Sequence, residues 1–84
     1  MWCLILTATG VQGEAYNPAH VEVETYGTKH EAEAALRKMY CDKIAALSAE
    51  LEYSAFDASM GEARVFGELA VCVMAIRRMP EQRV

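Results

Sequence analysis

The chain has 84 residues, 54% of them hydrophobic and 24% charged, and a formal net charge of −4. This is too apolar for a disordered chain, and the length holds one domain rather than two. The acidic balance argues against binding nucleic acid by neutralising phosphates, and the longest uncharged apolar run, Leu69 to Ile76, falls far short of the about 20 residues a membrane-spanning helix needs.

The charge is unevenly placed. Residues 1–35 hold five acids (Glu14, Glu22, Glu24, Glu31 and Glu33) against the single base Lys29, whereas residues 36–84 hold seven of each sign. Cys3, Cys41 and Cys72 are odd in number, far apart and without a C-x-x-C pair, which speaks against a disulfide framework or a zinc knuckle. They read as free, buried small hydrophobes in a reducing compartment. The start MWCLILTATG lacks the basic region of a signal peptide. The expected location is the cytoplasm.

Trp2 to Thr9 reads as a strand that is apolar on both faces and therefore central in a sheet. Gly10 to Ala19, with two glycines and an Asn-Pro, reads as a loop. In His20 to Tyr26, Val21, Val23 and Thr25 alternate with Glu22, Glu24 and Tyr26; the expectation is a strand with its valines on the core and its glutamates in water. Thr28-Lys29-His30-Glu31 has the form of a capping box. Apolar residues then recur in steps of three and four at Ala32, Leu36, Met39, Tyr40, Ile44, Leu47 and Leu51. This predicts one helix, ending between Ser48 and Tyr53, with a single stripe against the sheet. Glu33 and Arg37 have the spacing of an outer i,i+4 ion pair.

In the last third, Tyr53 to Asp57 reads as a strand, Ala58 to Gly61 as a turn and Glu62 to Phe66 as its partner. Gly67-Glu68 reads as a second turn, and Leu69 to Arg77 as the final strand. The β-branched Val71, Val73 and Ile76, together with Gly67, favour this over a second helix from Met60 to Met79, which would have a Ser59–Glu62 cap and Pro80 as its stop. The expected class is α+β, a ββαββ antiparallel sheet with one long helix packed on one face; the alternative is ββαα. The other sheet face, expected to carry Cys3, Ile5 and Tyr26 with Cys72, Met74 and Ile76, is an apolar surface in need of cover, so a homodimer is expected.

Chemistry-bearing constellations are sparse. His20-x-Glu22-x-Glu24 puts three metal-ligand types on one strand face, but at about 7 Å spacing they do not converge on one ion. They read as a solvated face, and the two glutamates have no cleft in which to act as glycosidase carboxylates. His30 and Cys41 lie about 16 Å apart along the helix axis, too far for a thiolate–imidazole pair. Gly10-Val11-Gln12-Gly13 lacks the Lys-Ser/Thr ending of a phosphate loop. No catalytic residue, cofactor or metal site is expected. Met39 and Met74 read as core fillers, whereas Met60 and Met79 flank turn or tail positions, where an exposed contact role is the alternative reading.

The chain resembles, over its whole length, small orphan proteins of phages and mobile elements, among them anti-CRISPR inhibitors. The likeness rests on a short acidic chain that starts at a strand, a sheet-plus-helix pattern and the lack of catalytic motifs. It implies a non-enzymatic protein that occupies a basic surface on a nucleic-acid enzyme, in the host cytoplasm if phage-encoded. The mild net charge and the scarcity of aspartate (Asp42 and Asp57 only) depart from a strong nucleic-acid mimic. The residues expected to meet a basic partner protein are Glu22, Glu24, Glu31 and Glu33, gathered into one negative region that Glu14 of the loop could join; the alternative reading of this region is a solubilising surface. The alternative is a homodimeric structural or regulatory accessory protein.

Overall fold

The computed structural model describes residues 1–12, 15–16, 20–68 and 70–79. Strand β1 is Trp2–Gln12, β2 the two-residue Ala15–Tyr16, β3 His20–Tyr26, β4 Leu51–Asp57, β5 Glu62–Gly67 and β6 Ala70–Arg78; the helix α1 is Lys29–Ala46. The sheet runs β3-β1-β6-β5-β4 with every neighbour antiparallel, and β2 pairs with the far end of β1. The helix packs across one face. The expected α+β class and the single covering helix are therefore present, and the three strands read one by one after the helix are all formed, one more than the ββαββ label counts.

The core lies between helix and sheet. Leu4, Leu6, Val65, Met74 and Ile76 from the sheet meet Ala32 and Leu36 from the helix, all nearly inaccessible. Ala35, Met39, Tyr40, Ile44 and Leu47 pack around them, so the apolar stripe read from the sequence is the one that faces the sheet. Thr28 caps the helix as expected: its Oγ1 accepts the Glu31 N–H at 3.2 Å. The helix ends earlier than its periodicity suggests. Leu47 N–H still bonds Lys43 O, but Glu50 N–H turns back to Leu47 O and Glu50 O receives the N–H of Glu68. Leu51 is thereby delivered to β4 opposite Gly67 instead of extending the helix.

Two other expectations are corrected. The first strand does not stop at Thr9: Gly10 pairs with Ala70, and Val11 and Gln12 pair with β2. Part of the expected loop is thus strand. The larger correction is the side on which β3 presents its residues. Directly opposed residues of antiparallel strands share a face. Leu4 opposes Glu24 and Leu6 opposes Glu22, so both glutamates lie on the helix side; Ile5 opposes Val23 and Thr7 opposes Val21. The valines stand on the open side of the sheet, 57% and 56% exposed. Alternation reveals two faces but not which one the rest of the chain covers.

The composition of the open face changes accordingly. Tyr26, Cys72, Met74 and Ile76 all belong to the helix side, and three of them are buried. The open face carries Val21 and Val23 of β3, Ile5 of β1, Val71, Val73 and Ala75 of β6, and the tilted Tyr53–Phe66 ring pair of β4 and β5, with ring centroids 5.4 Å apart. Cys3 also lies on this side. It is buried there, where its thiol donates to Arg77 O at 3.4 Å, and it is not part of the helix-side core.

Candidate functional site

Edge strand β3 and the flank of α1 form the walls of a cleft of about 290 Å3. Leu4, Leu6 and Met39 supply an apolar floor. Glu22 and Glu24 stand on the strand wall, and Asp42, Lys38 and Lys43 on the helix wall. The arrangement follows from the register just described: a strand pair that puts Leu4 and Leu6 under the helix must put Glu24 and Glu22 beside it. Being at the edge, the carboxylates clear the helix flank and remain in water. The Tyr26 hydroxyl donates to Glu24 Oε2 at 2.9 Å, and that bond to the carboxylate raises the phenol's pKa. Three carboxylates face two ammonium groups, so the cleft keeps an acidic excess of one.

The four glutamates expected to form one region divide into two. Glu31 precedes the cleft-lining Ala35 and Lys38 by four and seven residues, which places it on the cleft side of the helix. Glu33 lies on the outward face with His30, Arg37 and Cys41. Its partner is Lys29 at 3.9 Å, not Arg37; the Arg37 guanidinium sits 4.8 Å from the ring centre of Phe56 instead. Residues two apart on a helix do not share a face, so the sequence already held the signal that separates Glu31 from Glu33. Glu14 lies outside the described residues, as does the side chain of His20. The cleft residues that sequence reasoning missed are Lys38, Asp42 and Lys43: joining them to β3 requires the sheet register, a long-range fact.

The cysteines also divide. Cys3 and Cys72 are buried as expected, and desolvation raises the Cys72 thiol pKa against a smaller opposing effect of Lys43. Cys41 is exposed on the outward helix face, because it falls off the apolar stripe. Met74 fills the core and Met39 packs against it, whereas Met60 and Met79 are exposed, 61% and 40%. Among the described residues, no three His, Cys, Asp or Glu side chains are grouped to hold a metal ion, and no helix is long and apolar enough to cross a membrane. No protein-family model, curated protein or solved structure matches the chain.

Proposed function

We propose that this chain is a non-enzymatic binding protein that seats a basic segment of a partner protein in the cleft between β3 and α1. The observation that carries this reading is the placing of Glu22 and Glu24 together above an apolar floor on β3, a strand at the sheet edge among the described residues. Such a site offers carboxylates to lysine or arginine heads and apolar surface to their methylene stems. Charge complementarity of this kind chiefly raises the association rate and selects the partner. A basic, nucleic-acid-handling enzyme in a reducing cytoplasm is the partner class this reading favours, and the chain would act there as an inhibitor by occupancy. The three unpaired cysteines support the reducing compartment.

The test is affinity capture from extracts of the cells that make the chain, with the parent and a Glu22→Gln/Glu24→Gln variant as parallel baits. Glutamine removes the two charges without setting new ammonium groups beside Lys38 and Lys43. The parent should retain a basic protein that about 0.5 M salt releases, because exposed charge attraction is screened there. The variant should lose at least about tenfold in affinity, while its melting temperature stays near the parent's, since exposed substitutions usually shift stability by less than about 0.5 kcal/mol each. Equal retention by both baits would remove the cleft from the account.

A further inference from the structure

We propose that the open face of the sheet takes a second copy of this chain, packed sheet on sheet in a two-fold dimer. The described residues form two layers, and the smallest extent is 16 Å. One layer is the helix and the other the sheet, so the far sheet face is left to whatever binds it. That face is built for burial. Strand β3 has strict valine–glutamate alternation, yet it turns Val21 and Val23 away from the helix and its glutamates toward it. For a strand of an isolated two-layer domain this is the costly orientation, because it leaves its best apolar side in water. The orientation is the favourable one if a third layer lies against the valines.

The identity of that layer follows from charge and area. The chain carries a net charge of −4, yet the charges that the strand register places on this face balance. Its acids Asp57 and Glu62 are matched by Arg64 and Arg77, and Glu62 already pairs with Arg77 within the chain. The β3, β1 and β6 portion from Val21 across Ile5 to Val71 and Val73 holds no charge at all. A neutral, apolar face gives no charged partner or anionic surface a grip. It lets two copies of an acidic chain meet without net like-charge repulsion, since Asp57 and Glu62 on the face are offset by Arg64 and Arg77. Five strands at about 4.8 Å spacing and seven residues at about 3.3 Å rise give a flat footprint of about 550 Å2. Side-chain relief carries the accessible area toward the about 800 Å2 per partner of a standard stable interface. Aligned sheet-on-sheet packing of this kind buries alternate side chains of both faces.

Sedimentation equilibrium of the whole chain, from about 1 to 500 µM, tests the proposal. The expected result is a species of twice the 9.3 kDa chain mass that Val23→Glu returns to monomer, with a dissociation constant raised about 100-fold or more. The substitution enters a two-fold interface twice and buries an unpaired charge each time. Ala34→Glu, on the exposed outward side of the helix, should leave the dimer intact, and circular dichroism confirms that both variants remain folded. A chain that stays at 9.3 kDa over the whole range overturns the proposal, as does a dimer that Ala34→Glu dissociates and Val23→Glu does not. The cleft reading is independent of both results, because Glu22 and Glu24 stand on the opposite face.

Discussion

Replacing Leu36 with alanine should lower the melting temperature by at least about 10 °C. Leu36 is the helix's central anchor, 1% exposed, in the cluster that holds Leu4, Val65 and Met74. Removing a buried leucine side chain costs about 2–5 kcal/mol, depending on how far the surroundings collapse into the space. Collapse is limited here, because the helix packs on β1, β5 and β6 together and cannot approach one strand without leaving another. A domain of this size has a total stability of about 4–13 kcal/mol, and each kcal/mol is worth about 4–8 °C. Parent and variant must be melted at equal chain concentration, because self-association makes the midpoint depend on it. Thermal unfolding followed by circular dichroism gives the answer; a shift under about 2 °C would mean that the helix does not seal this core.

Gly61→Ala should be nearly as damaging, for two separable reasons. Gly61 closes the turn between β4 and β5 with φ at +65°, in the left-handed region. An L-residue there costs about 1–2 kcal/mol. The added Cβ would also lie 2.5 Å from Cγ1 of Ile76, a core side chain that cannot swing outward, and Gly61 O already accepts the Ile76 N–H at 2.8 Å. Overpacking of this kind adds about 1–3 kcal/mol. Urea unfolding should therefore show a total loss of about 2–5 kcal/mol. Combining the change with Ile76→Ala should make the two losses less than additive, because the clash disappears while the backbone strain stays. A loss below about 0.5 kcal/mol would contradict the turn geometry. Asp57 opens the same turn. Its Oδ1 accepts the Ser59 hydroxyl at 2.7 Å and the Met60 N–H at 3.1 Å, and these bonds hold its carboxyl below the usual range.

Local chemistry made most of the elements legible. The three-and-four spacing from Ala32 to Leu47 fixed the helix and its buried side, and Thr28 fixed its start, because both are determined within one or two turns of chain. Gly67 and the β-branched residues of β6 separated the terminal hairpins from a second helix. The misreadings of the β3 faces and of the helix end depend on partners distant in sequence, whereas the separation of Glu31 from Glu33 was already present in local helix geometry. Whether Val23 or Glu24 faces the helix is decided by pairing with Ile5 and Leu4, about twenty residues away. Where the helix stops is decided by Gly67 and Glu68 reaching back to Glu50 and Leu51. The candidate site was legible to the same degree. Alternation placed Glu22 and Glu24 together on one exposed strand side, but the helix residues that share their cleft, Lys38, Asp42 and Lys43, required the register.

That register is the claim on which both the cleft and the dimer face depend, and methyl nuclear Overhauser contacts test it most directly. The Val23 methyls should show contacts to Ile5, its partner across β1, and none to Leu36 or Met39. Val23 contacts to Leu36 and Met39, with none to Ile5, would put the valines under the helix, turn Glu22 and Glu24 onto the open face, and contradict the account.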